Sequence, residues 1–130
     1  MTEKTHAVPN GVIHYWMNDF QPGRAVLVFL PGLTADHRLF DKQVEAFEST
    51  YNLLAWDAPG HGKSRPFVMD FTLAQKAAWL HAILQAEGIT APVWWDSRSA
   101  GIFHRRTFRL TPARCAALFL LTPPRSSANT

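Results

Sequence analysis

Two glycine-containing loops hold many of the residues whose types suit chemistry. Pro31-Gly32-Leu33 follows the apolar run Ala25 to Leu30, and the loop from Asp57 to Ser64, D-A-P-G-H-G-K-S, follows the apolar run Tyr51 to Trp56. Neither loop has the G-x-x-x-x-G-K-[ST] pattern of a phosphate-binding loop, although Gly62-Lys63-Ser64 resembles its end. Because each loop follows an apolar, strand-like run, both loops are expected at the carboxyl ends of strands, where an α/β sheet binds its ligands.

The six histidines do not have the spacing of a metal site. They stand at positions 6, 14, 37, 61, 81 and 104, with no H-E-x-x-H pattern. We expect scattered surface or packing histidines, a packing role for His61 within its loop, no metal and no cofactor.

The elements that carry these loops are those of an α/β domain. Asn10-Gly11 between two strand-like runs, Thr5 to Val8 and Val12 to Met17, predicts a leading β-hairpin. The runs 25–30, 51–56 and 91–95 read as buried strands, and Phe40, Val44 and Phe47 recur at helical spacing between the first two. A capping-box pair, Thr72 and Gln75, begins a second predicted helix, whose apolar face is Leu73, Ala77, Leu80 and Leu84 and which ends at Gly88. Two strand-helix-strand steps predict a parallel sheet with right-handed crossovers.

The basic charge belongs to the carboxyl-terminal part of the chain. The net charge is +3, but residues 1–96 carry −3 and residues 97–130 carry +6, with six arginines, no lysine and no acid. We therefore divide the chain into a domain over 1–96 and an atypical basic tail over 97–130. Without a 20-residue apolar run or a signal peptide, we expect a cytoplasmic protein with no membrane partner. The single Cys115 agrees with a reducing compartment.

L-P-G-L-T-A-D after one strand and W-D-A-P-G-H-G-K-S after the next resemble the amino-terminal half of an α/β-hydrolase, of the esterase, lactonase and peptidase-like kind. The resemblance covers roughly residues 10 to 95. It implies an incomplete α/β-hydrolase sheet with a leading hairpin, parallel strands, flanking helices and an irregular Arg-rich carboxyl tail. It also implies that Leu33 gives a backbone N–H to an oxyanion hole. Gly32, Asp57, Gly60, His61 and Gly62 would form loops beside the active site.

The nucleophile of this family is a serine in G-x-S-x-G-G after the third parallel strand. This chain has D-S-R-S-A-G at 96–101, so an ungapped alignment puts Arg98 at the nucleophile position. One inserted residue brings Ser99 there instead, with Ser97 and Gly101 at the flanking glycine positions. Ser99 is thus the candidate nucleophile, and a pair of solvated loop serines is the alternative. His104 would lie on the helix behind the nucleophile, directed away from it. We expect the family's acid and histidine to be absent from this chain.

A displaced reading frame is a further explanation of residues from about 93 onward. The codons of Trp94-Trp95-Asp96 begin TGG TGG GA, and reading them two bases on gives Val-Gly. Permitted codons for Asp96 to Gly101 then allow Gln-Ser-Leu-Gly-Gly, the missing nucleophile turn. Against this, Leu110 to Pro124 resembles an in-frame family segment. A frameshift product and a diverged nucleophile-turn region both remain open.

Three functions follow from these patterns. The first is a hydrolase of ester, lactone or amide bonds with a small-molecule acyl substrate. The second is a catalytically incomplete hydrolase fragment, which we take as the state of this chain. The third is a nucleic-acid-binding protein using the arginine tail and Trp94-Trp95; we expect no nucleic-acid partner. The sequence gives no oligomeric state.

Overall fold

A computed structural model of the chain describes residues 1–31 and 35–96, and these form one mixed five-stranded sheet. The strands are β1 (Thr2–Val8), β2 (Gly11–Met17), β3 (Val26–Leu30), β4 (Asn52–Trp56) and β5 (Val93–Asp96). Their order in the sheet is β1-β2-β4-β3-β5. The helices are a 3-10 turn (His37–Phe40), α1 (Asp41–Phe47) and α2 (Leu73–Ala86). The predicted α/β class is confirmed.

The leading hairpin is confirmed and is longer than predicted. β1 and β2 are antiparallel, with Val8 opposite Gly11 across the turn. β1 begins at Thr2 rather than Thr5, because Thr2 pairs with Met17 in the same ladder. The sequence from Thr2 to Lys4 is polar, so its hydropathy alone gives no strand signal.

The parallel part of the sheet is confirmed too. β3 pairs in parallel with β4 on one side and with β5 on the other. One face packs against Phe40, with Leu27, Phe29, Leu53 and Ala55 pointing toward it. The opposite face packs against α2 through Val28, Leu30, Leu54 and Trp56. Strands covered on both faces read as continuous apolar runs, which is how β3 and β4 appear in the sequence.

Helix α2 begins and ends where the sequence predicts. The Thr72 hydroxyl accepts the Gln75 N–H at 3.1 Å, and the Gln75 side chain accepts the Thr72 N–H at 2.7 Å. Gly88 follows the helix with a φ of +72°, a conformation that glycine adopts without a Cβ penalty. Ala77, Leu80 and Leu84 are buried as predicted, together with Ile83.

The predicted apolar face of α2 is buried except at Leu73. Leu73 is 47% exposed. It is the first residue of α2, and helical spacing gives the face on which a residue lies but not how deeply that residue is buried. Within residues 1–31 and 35–96, no helix has the length and apolarity needed to cross a membrane.

Candidate active site

The candidate site lies at the carboxyl ends of β3 and β4, where the two predicted loops leave the sheet. Asp57, Gly60, His61 and Gly62 are in the described part of the chain. Gly32, Leu33 and Ser99 lie outside the described residues, so the predicted oxyanion hole and nucleophile stay predictions. The described part of the site consists of the loop after β4 and the 3-10 turn after β3.

The loop after β4 is closed by its own backbone. The Gly60 N–H donates to the Ser64 carbonyl at 3.0 Å, and the Ser64 N–H donates to the His61 carbonyl at 2.9 Å. The His61 N–H donates to the Ala58 carbonyl at 2.9 Å. The His61 ring nitrogen Nδ1 lies 3.1 Å from the Pro59 carbonyl. These bonds satisfy polar groups that would otherwise destabilise a loop packed on the sheet.

Ser64 joins this loop to the leading hairpin. Its side chain is fully buried, and its hydroxyl donates to the Asp57 carbonyl at 2.6 Å. The same oxygen accepts the His14 N–H of β2 at 2.9 Å. One hydroxyl therefore satisfies two backbone groups and fixes the loop against β2.

Asp57 is the centre of the site. Its carboxylate is fully buried and accepts three N–H groups from two segments. Oδ1 accepts the His37 backbone N–H at 2.7 Å and faces the His37 ring nitrogen Nδ1 at 2.8 Å, and Oδ2 accepts the Lys63 N–H at 2.8 Å. Asp57 thus ties the loop after β4 to the 3-10 turn after β3, and these bonds offset the cost of burying its charge.

Gly62 has to be glycine for this arrangement to form. Its φ is +51°, and a Cβ built there would overlap Oδ2 of Asp57 and come within 2.9 Å of the Asp36 Cβ. A Cβ at Gly60, with φ +84°, would instead meet the side chain of Met69, which is 58% exposed. The obstacle at Gly62 is a hydrogen-bonded carboxylate, whereas the obstacle at Gly60 is the end of a flexible side chain.

Trp16 supports the imidazole of His37 from β2. The two rings are stacked, with centroids 3.5 Å apart and planes 16° apart. The Lys63 ammonium lies 5.9 Å from the Trp16 ring centroid and 3.0 Å from Oε1 of Glu3. Hydrogen bonds from His14 and from Lys63 lower the pKa of Glu3, so this carboxylate stays ionised beside them.

Asp36, His37 and Asp57 also meet the spacing of a cation site, since one ligand atom from each lies within 4.8 Å of the others. The carboxylates of Asp36 and Asp57 already make hydrogen bonds within the protein. Asp57 accepts three N–H groups, and the Arg38 guanidinium holds Asp36 at 2.7 Å. The hydrogen bond from Arg38 lowers the pKa of Asp36 to about 2. A cation would have to compete with this guanidinium and with the N–H groups on Asp57, so the ion pair and hydrogen bonds already account for the cluster.

Comparison with known proteins shows the family of this chain. The family model described as the alpha/beta hydrolase fold matches residues 25–129, which is most of the chain. The chain belongs to the α/β-hydrolase fold family. The match includes Ser99 and nearly all of the arginine-rich segment. No curated protein sequence matches the chain.

Solved structures of α/β-hydrolases share the fold of the described residues. A hydrolase from Pseudomonas aeruginosa PA01 has a TM-score of 0.63 at 20% identity, over 72% of this chain and 36% of that protein. The enol-lactonase from Burkholderia xenovorans LB400 has a TM-score of 0.62 at 22% identity, over 72% of this chain and 36% of that protein. AqDC, whose structure concerns recognition and ring-cleavage of the Pseudomonas quinolone signal, has a TM-score of 0.63 at 26% identity, over 72% of this chain and 35% of that protein. The chain thus spans about one third of the length of these α/β-hydrolases.

The contact between His37 and Asp57 is what sequence reasoning missed. The two residues are twenty positions apart and belong to different loops, so no local motif joins them. The available signal was topological, because loops that follow neighbouring parallel strands meet at one edge of the sheet. The hydrogen bonds of Ser64 to Asp57 and His14 were missed too, because the sequence shows this serine only as the last residue of the loop motif.

Proposed function

We propose that this chain derives from hydrolases of ester, lactone or amide bonds and that its 130 residues do not by themselves form a working serine hydrolase. Membership of the α/β-hydrolase fold family supports the reaction class. The bond types come from the resemblance of the two glycine loops to esterases, lactonases and related enzymes. The substrate would be a small acyl compound.

The observation that carries the proposal is the absence of any acid after Ser99. In α/β-hydrolases the three catalytic residues follow one another along the chain as serine, acid and histidine. Residues 97–130 contain six arginines and neither Asp nor Glu. Whatever nucleophile this stretch provides, the 130 residues do not supply its acid in the family's order, and without an acid the histidine loses its orienting partner.

Covalent labelling tests the proposal directly. A fluorophosphonate reacts with a serine that is activated by a general base and leaves an adduct whose mass is measured on the intact protein. We expect no adduct on this chain under conditions in which a complete α/β-hydrolase is fully labelled. Stoichiometric labelling at Ser99, lost in Ser99→Ala, would refute the proposal.

A second candidate is an active hydrolase that uses Ser99 with its acid and histidine supplied by another polypeptide. The family match running through Ser99 to residue 129 favours this candidate, since a displaced frame would not be expected to match. Labelling of Ser99 only after addition of that polypeptide would support it. The coding DNA past codon 93 separates the two origins of the tail, because only a frameshift leaves an open displaced frame that encodes the glycine-flanked serine.

A further inference from the structure

We propose that His37 and Asp57 form a general-base pair that activates water for hydrolysis of small esters, independently of Ser99. The inference rests on the proposed function for its substrate class. It differs from a serine hydrolase in the catalytic group, because the base is His37, from the amino-terminal half of the fold, and no serine takes part. The pair lies at the carboxyl edge of the parallel strands, where α/β folds bind ligands.

The contact with Asp57 determines which ring nitrogen of His37 carries the proton. Asp57 is fully buried, and its Oδ1 lies 2.8 Å from Nδ1 of His37. A carboxylate accepts but does not donate, so Nδ1 carries the proton and Nε2 of the neutral ring is the acceptor. The same oxygen accepts the His37 backbone N–H at 2.7 Å, which fixes the residue as well as the ring. A buried acid that orients a histidine through Nδ1 is the acid–histidine half of a catalytic triad.

Catalysis by this pair needs the second ring nitrogen of His37, Nε2, to be free to accept a proton from water. None of the described residues hydrogen-bonds Nε2 of His37, and the side chain remains 22% exposed. The stacked Trp16 ring, 3.5 Å away between centroids, fixes the plane of the imidazole without using either nitrogen. The charged groups around the ring are Asp57 and Asp36, with the Arg38 guanidinium on Asp36 and the Lys63 ammonium above Trp16.

The reaction balances without a metal or a covalent intermediate. Nε2 accepts a proton from water as the water oxygen bonds to the ester carbonyl carbon, giving a tetrahedral oxyanion and an imidazolium stabilised by Asp57. The carbon–oxygen bond to the alcohol then breaks, and the alcohol oxygen takes the proton back from Nε2. The products are one carboxylic acid and one alcohol, and the pair returns to its starting state.

The chain contains its own control for this pair. His14 also faces a carboxylate through Nδ1, at 2.6 Å from Oε2 of Glu3, but that carboxylate is 35% exposed. A partly exposed carboxylate exchanges its partner with water, so it orients a ring weakly. His14→Gln therefore removes an imidazole–carboxylate pair while leaving the proposed base intact.

The test measures acid release from ethyl dichloroacetate by the full chain in a pH-stat. An alkoxide leaves poorly, so direct attack by imidazole on this ester reverses and the water route is the one observed. General-base catalysis is typically worth about 10²- to 10⁴-fold, so we expect His37→Ala to lower the rate at least about tenfold. Ser99→Ala and His14→Gln should each stay within about twofold of the unaltered chain.

Two readouts separate catalysis from a structural role. Beyond the hydrolysis that imidazole causes without protein, added imidazole should raise the rate of His37→Ala and leave the rate of His14→Gln unchanged. Circular dichroism should show that both variants keep their fold. The His37-dependent rate should be slower in heavy water, because a proton of water is transferred. Equal rates for His37→Ala and the unaltered chain, or no turnover at all, would overturn the pair while leaving the proposed function intact. A rate that depends on Ser99 instead would refute the proposed function.

Discussion

Replacing Gly62 with alanine should destabilise the fold far more than the same change at Gly23. Both glycines have positive φ, +51° and +80°, so each substitution carries the cost of a left-handed non-glycine residue, about 1–2 kcal/mol. Nothing lies within 4 Å of a Cβ at Gly23. A Cβ at Gly62 overlaps the Asp57 carboxylate, which must move and give up at least one charged hydrogen bond, worth about 1.5–3 kcal/mol. The expected losses are about 1–2 kcal/mol at Gly23 and about 2.5–5 kcal/mol at Gly62.

Urea unfolding followed by tryptophan fluorescence measures this difference, since Trp16 and Trp56 are buried and report on the sheet. The free energy of unfolding comes from the midpoint and slope of the transition, and an unchanged slope shows that the comparison concerns stability alone. Equal losses for Gly62→Ala and Gly23→Ala would refute the reasoning. That result would mean that Asp57 moves freely and does not tie the two loops together.

Three further changes test the contacts around the site. Ser64→Ala should lower the free energy of unfolding by about 1–3 kcal/mol in urea titrations, because the His14 N–H and the Asp57 carbonyl lose their hydrogen-bond partner. The matched change at the exposed Ser49, Ser49→Ala, should have little effect. Thr72→Ala should cost about 1 kcal/mol and reduce helical circular dichroism by fraying α2; an unchanged midpoint would contradict the capping box. Burial and the hydrogen bond to Glu87 raise the pKa of Tyr15 above its ordinary value of 10.0, so the unfolded chain loses this proton first and stability should fall as pH rises above about 10. Tyr15→Phe should reduce that fall, and an identical pH dependence would contradict the buried phenol.

The sheet could be predicted from sequence because its signals are local. Asn10-Gly11 set the hairpin, unbroken apolar runs set β3 and β4, and the capping pair of Thr72 and Gln75 set the start of α2. Each of these depends on residues within a few positions of one another. Leu73 is exposed although it shares the spacing of the buried residues, because helical periodicity gives the face of a helix and not the depth of burial along it.

The candidate site was predictable only in part, because its chemistry depends on contacts between loops. The Asp57-to-Ser64 motif indicated where the loop lies and why it contains glycine. The motif did not indicate that His37 would stack on Trp16 and meet Asp57, since that contact requires the relative placement of β2, β3 and β4. From the sequence alone, His37 is interpreted as one of the scattered surface or packing histidines. Among the described residues, it is the histidine that a buried carboxylate orients.

The central claim is that these 130 residues carry an α/β-hydrolase framework without a working serine nucleophile. Intact-mass measurement after fluorophosphonate treatment of the purified chain tests it most directly. We expect an unmodified mass, with any ester turnover unchanged in Ser99→Ala. A full equivalent of adduct on Ser99 would contradict it.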